Sequence, residues 1–128
     1  MHIDYRSTLH ALDKIVEEKG ESYIYIPPKG AECVYIDQDG KPSCLVGHVF
    51  DRFGVNGEFR EGEGYEESIM TAQQACEVLA FEGVYFTPKA RYLLALVQDH
   101  QDHNIRWGRA LRLAIVDVVA SDREGWDK

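Results

Sequence analysis

The sequence predicts an α+β fold: a single helix-rich domain with four or five helices packed on a small antiparallel β-hairpin. Three observations predict it. Apolar residues recur at three- and four-residue intervals in five segments, the period of a helix with one buried face. Two short runs, Tyr23-Ile24-Tyr25-Ile26 and Cys33-Val34-Tyr35-Ile36, alternate with period two around Pro27-Pro28-Lys29-Gly30, the pattern of paired strands joined by a turn. The chain has 128 residues, 45% of them apolar and 28% charged, which suits one core burying roughly two-thirds of the unfolded surface.

Each element has its own signal. Tyr5, Leu9, Leu12 and Val16 set out a first helix over about residues 5 to 19, with Asp4 placed as its N-cap and Gly20 just past its end. In the hairpin, alternate side chains point to opposite faces, so Ile24, Ile26, Val34 and Ile36 share the buried face while Tyr23, Tyr25, Cys33 and Tyr35 share the other. Asp37-Gln38-Asp39-Gly40 is turn chemistry. Pro42-Ser43 then opens a second helix, ending at Gly54, with Leu45, Val46, Val49, Phe50 and Phe53 as its core stripe. Residues 55 to 67 contain five glutamates and three glycines without periodicity, and read as a mobile acidic loop within the domain. Thr71 and Gln74 make a capping box for a third helix, whose inner face is Ala72, Ala75, Cys76 and Leu79 and which Gly83 closes. Val84-Tyr85-Phe86 is a candidate third strand. Thr87 before Pro88 starts a fourth helix with Ala90, Leu93, Leu94 and Val97 inside. After Asn104, Trp107, Ala110, Leu111, Ala114 and Val118 define a fifth, expected to lie antiparallel to the fourth. Residues 122 to 128 read as a frayed tail, so the single domain spans 1 to 128.

Composition narrows the function classes. The longest strongly apolar run, Leu93-Leu94-Ala95-Leu96-Val97, is far short of the roughly 20 residues that span a bilayer, and the first six residues lack the basic-then-apolar pattern of a secretory signal. The expected setting is the cytoplasm, with no membrane partner. Cys33, Cys44 and Cys76 are an odd number in no disulfide framework, so free thiols in a reducing compartment are expected. Net charge is −8 and unevenly spread: residues 1 to 87 carry 7 basic and 16 acidic side chains, residues 88 to 128 carry 7 and 6. Polyanions should avoid the first two-thirds, which disfavours nucleic acid as a partner.

The runs Gly40-Lys41-Pro42-Ser43-Cys44-Leu45-Val46-Gly47-His48-Val49, Phe86-Thr87-Pro88-Lys89-Ala90 and Trp107-Gly108-Arg109-Ala110-Leu111, with Thr8-Leu9-His10-Ala11-Leu12-Asp13 before them, resemble a family of small uncharacterised proteins from actinobacteria and their phages, mycobacteriophages especially. The likeness covers most of the chain. It implies a bacterial or phage cytoplasmic setting and an accessory role. It brings no activity and no catalytic residues with it.

Five groups of residues carry the candidate chemistry. Cys44 and His48, four apart at about 100° per residue, would share one side of the second helix near its positive end, which favours a thiolate nucleophile. No orienting Asn or Asp and no oxyanion donor can be named beside them, so the alternative is that Cys44, Gly47 and His48 form a small-residue seam against another helix or chain. Cys33, Cys44, His48 and Cys76 could ligate zinc by residue type, but only one pair has knuckle-like spacing, and no metal is predicted. Asp99, His100 and His103 form a second set of metal-ligand types, read as the polar end of the fourth helix, where the dipole favours histidine. Arg106, Arg109 and Arg112 make a basic stripe that DNA recognition would need, though it serves equally to pair with the glutamates of residues 58 to 67 or to rim a protein interface. Tyr23, Tyr25 and Tyr35, with Tyr85 if it pairs as a third strand, offer a tyrosine face, either a recognition surface or a face covered by a helix.

The expected function is that of a non-enzymatic phage or bacterial accessory protein without a cofactor. It would bind a host protein or itself through the tyrosine face or the seam at Gly47, and a homo-oligomer is one form this could take. The alternatives are a cysteine-dependent hydrolase using Cys44 and His48, and a DNA-binding regulator using the fifth helix.

Overall fold

The computed structural model describes residues 1–26, 35–37, 39–55 and 71–121. Its elements run β1 (His2–Ile3), α1 (Tyr5–Lys19), α2 (Leu45–Arg52), α3 (Ala72–Phe81), β2 (Tyr85–Phe86), α4 (Pro88–Asp102) and α5 (Trp107–Ala120). Five helices against two two-residue strands make the fold helix-dominated, as the apolar periodicity predicts. The acidic loop expected from residue 55 onward lies outside the described residues from 56, as does the tail at 122–128. No described helix is long and apolar enough to cross a membrane.

Local chemistry sets the helix ends. The Asp4 carboxylate accepts from the Ser7 amide at 2.8 Å, and hydrogen bonding there holds that carboxyl below its usual range. Thr71 and Gln74 complete both bonds of the capping box, and the Thr87 hydroxyl accepts from the Ala90 amide with Pro88 in the first turn. α4 is the central helix, packing on α1, α2, α3 and most extensively on α5. It buries Ala90, Leu93, Leu94 and Val97 together with Gln98 and Gln101. Around it stand Leu12 and Ile15 of α1, Val49 and Phe50 of α2, Leu79 of α3 and Trp107 and Val118 of α5.

Among the described residues the expected antiparallel hairpin does not appear. The observed sheet has two parallel strands, β1 beside β2, with His2 opposite Tyr85 and Ile3 opposite Phe86. Val84-Tyr85-Phe86 does supply a strand, but its partner is the start of the chain. Residues 23 to 26 are in no strand; residues 27 to 34, including Cys33 and Val34, lie outside the described residues. The physical reason lies at α5. Arg106 gives that helix no side-chain cap, and its first amides instead donate to segment 21–23: Trp107 N–H to the Tyr23 carbonyl at 2.8 Å, Gly108 N–H to that of Glu21 at 3.0 Å. The carbonyl that opens the expected first strand, that of Tyr23, is committed to a helix terminus.

The facing of residues 24 to 26 is reversed as well: Tyr25 is 4% exposed, whereas Ile24 and Ile26 are 42% and 82% exposed; Ile36 is buried as expected, and Tyr35 is buried with it. A buried tyrosine brings a large apolar area, and its hydroxyl finds a partner: Ser43 Oγ at 2.9 Å for Tyr25 and Gln98 Oε1 at 3.3 Å for Tyr35. The second helix also starts later than Pro42-Ser43 suggests. Asp37 organises a tight turn, accepting from the Asp39 and Lys41 amides, and Pro42 forms an isolated antiparallel bridge with Ile36. Cys44 is therefore the N-cap of α2. Finally, His100 near the end of α4 lies 3.5 Å from Asp117 near the end of α5. α4 and α5 are thus in contact over much of their length.

Candidate functional site

Most of the candidate residues meet where α2 begins. Cys44 holds extended backbone, φ −80° and ψ 172°, and its buried Sγ accepts from the Gly47 amide at 3.4 Å. The next orphan amide of the helix, Leu45 N–H, donates to the side-chain oxygen of buried Gln101 from α4 at 2.8 Å. His48 Nδ1 donates to the Cys44 carbonyl at 2.9 Å, because a carbonyl can only accept. Burial pushes the His48 imidazole below its ordinary value, the carbonyl bond opposing it, so the neutral Nδ1–H form is favoured. Thiol and imidazole are neighbours in sequence and in space. The thiol, however, is directed to an amide and the ring nitrogen to a carbonyl, which is not the arrangement of a nucleophile and its base. Cys44 is fully buried and His48 half-buried.

Gly47 packs closely against the chain's own segment at Tyr35, where the expectation was a seam against another helix or chain. A Cβ at Gly47 would stand 2.9 Å from both C and Cα of Tyr35 and closer still to its carbonyl oxygen. Only glycine lets the 35–36 segment lie this close to the helix. Beyond it sits Trp107, fully buried, with the rings of Tyr23 at 4.5 Å, His48 at 5.5 Å and Tyr25 at 6.5 Å around it. Its indole nitrogen is buried with no hydrogen-bond partner among the described residues. Thus Tyr23, Tyr25 and His48 gather around Trp107 at the start of α5, and Tyr35 leans against Phe50 at 5.4 Å.

The other candidates are dispersed. Tyr85 belongs to the sheet, its ring 5.2 Å from that of His2 and 5.3 Å from the Arg91 guanidinium. Cys76 is buried on the inner face of α3, and desolvation pushes its thiol up to about 12, which keeps it protonated and a poor ligand or nucleophile. Cys33 lies outside the described residues. Among the described residues no cluster of three metal-ligand side chains occurs. His100 faces Asp117, while exposed His103 donates to the Asp99 carbonyl at 2.7 Å, which raises its pKa. Arg106, Arg109 and Arg112 are all exposed, and Arg112 pairs with Glu21. The glutamates at 58 to 67 that the sequence offered as partners lie outside the described residues.

One site has no counterpart among the expectations. Arg6, Ser7, His10 and Ala11 of α1, with Arg52 and Phe53 at the end of α2, line a cleft of about 470 Å³. The local signal was present: Arg6 and His10 are four apart and so share a helix face. Only the fold brings Arg52 beside them.

No family model, curated protein or solved structure matches the chain.

Proposed function

We propose that this chain is a non-enzymatic binding protein, an accessory protein of bacterial or phage origin that acts in the host cytoplasm by docking on a protein partner. The observation that carries this reading is the exposure of Ile24 and Ile26, with Tyr23 beside them, next to a segment stitched by its backbone to α5. Isolated exposed apolar residues are ordinary, but three within four positions on a backbone held at two points form a preorganised contact strip. Exposed Arg106 and Arg109 stand at the same end of α5. The partner that fits is a protein, host-encoded or a second copy, with an apolar patch and carboxylates at its rim.

The tyrosines enter this reading differently from one another. Tyr23 contributes surface, whereas Tyr25 and Tyr35 hold the strip's foundation from inside. The hydrolase reading gains less support, given where Cys44 Sγ and His48 Nδ1 direct their hydrogen bonds. A DNA-binding role for α5 would have to work with Arg112 already paired.

Affinity capture from an actinobacterial lysate, run beside sedimentation analysis of the purified chain, tests the proposal with the Ile24→Ser/Ile26→Ser variant. Both side chains are exposed, so the variant should fold. The expected result is a partner, or a self-associated species, that the variant loses. Capture of the same proteins at the same yield by the variant would overturn it.

A further inference from the structure

We infer that the cleft between α1 and the end of α2 binds an oxyanion, a phosphate or carboxylate group, carried on a small apolar body. Among the described residues its ionisable lining is basic, Arg6, His10 and Arg52, in a chain of net charge −8. The contrast with the neighbouring groove is informative. That groove, about 510 Å³ between α1 and α5, sets Lys14 and Arg112 against Asp13, Glu17 and Glu21, so its charges offset one another.

Within the basic cleft the donors are complementary. Helical rise places Arg6 and His10 about 6 Å apart along the axis of α1, one turn, with Ser7 between them. An arginine fork suits the paired oxygens of a carboxylate or phosphate, and a ring nitrogen one turn on can reach a further oxygen. The acid that Arg6 influences is Asp4, whose carboxylate is already held at the N-cap by the Ser7 amide. Arg52 is engaged by Glu18, holding that carboxyl below its usual range, so Arg52 closes the wall while Arg6 and His10 carry the recognition. Ala11 and Phe53 give the apolar surface, Phe53 being fixed edge-on against Phe86 at 6.0 Å. A concave basic surface in an acidic molecule also concentrates anions locally.

The test is a titration of the isotope-labelled full chain with phenyl phosphate, benzoate and uncharged benzamide, followed by amide chemical shifts. Phenyl phosphate or benzoate is expected to give saturable shifts at Arg6, Ser7, His10, Arg52 and Phe53, and the stronger of the two identifies the anion. Benzamide should give none. Arg6→Gln, at an exposed position, should weaken binding by about tenfold, as should His10→Asn on the same face. Absence of saturable shifts, equal shifts with benzamide, or unchanged binding by both variants would overturn the inference. None of these outcomes bears on partner capture through Ile24 and Ile26.

Discussion

Gly47→Ala puts the seam to a direct trial, because helix propensity and packing predict opposite signs. In an unconstrained helix the change to alanine is favourable by about 1 kcal/mol. Here the new methyl would stand 2.9 Å from two backbone atoms of Tyr35, where ordinary contact begins at 3.4 Å, and closer again to its oxygen. The Tyr35 carbonyl would have to retreat by about an ångström to reach ordinary contact, and little around it can yield. Its ring is fully buried against Phe50, its hydroxyl donates to Gln98, and its carbonyl accepts from the Ser43 amide at 3.0 Å. Overpacking costs about 1 to 3 kcal/mol, and a backbone bond lost from a buried site costs about as much. Against the propensity gain, the net is a destabilisation of about 2 kcal/mol or more. Urea unfolding followed by far-ultraviolet circular dichroism measures it. A Gly47→Ala protein as stable as the parent would refute the close approach of Tyr35 to α2.

Two further outcomes follow from the same region. Gln101→Ala leaves the Leu45 amide buried without its acceptor and should cost about 1 to 3 kcal/mol, whereas Asp99→Ala on the exposed side of α4 should stay within about 0.5 kcal/mol. Urea midpoints of the two variants compare them, and equal midpoints would remove Gln101 from the cap. The pH dependence comes from His48, whose native pKa is lowered from 6.5, chiefly by burial. The unfolded chain then takes up the proton first, so this contribution to stability is full above about pH 6.5 and is lost as pH falls through the native value. Exposed His103, with its raised pKa, works in the opposite sense: its contribution is full below the unfolded value and fades as pH rises through the native one. Unfolding curves between pH 7.5 and 5 should therefore be steeper in pH for the parent than for His48→Gln, and parallel profiles would contradict a buried neutral imidazole.

The helices were legible because their signals are local. Asp4, the Thr71–Gln74 box and Thr87-Pro88 each act within one turn, and each cap is in place. Of the strands, Val84-Tyr85-Phe86 was marked but β1 and the pairing were not, because the two partners are distant in sequence. Two-residue strands carry no period to read, and β1 pairs with a segment more than eighty residues away. Residues 23 to 26 looked like a strand by alternation, yet the uncapped start of α5 took the Tyr23 carbonyl, a demand visible only once the two segments meet. Cys44 was legible as a thiol near a helix start but not as the cap itself, since cysteine is not among the usual capping residues. For the basic cleft, half the wall could be read from the spacing of Arg6 and His10, and the half from α2 could not.

The parallel join of β1 to β2 gives the molecule a built-in clock. The amides of Tyr85 and Thr87 donate to the carbonyls of Met1 and Ile3, and Thr87 is also the residue from which α4 begins. Drawing together positions so remote along the chain carries an entropic penalty that short-range helical turns escape, so this seal should form after the helices have condensed. In pulse-labelling with deuterium, those two protons would acquire protection last, marking the moment when the leading residues arrive and the central helix is fastened at its root.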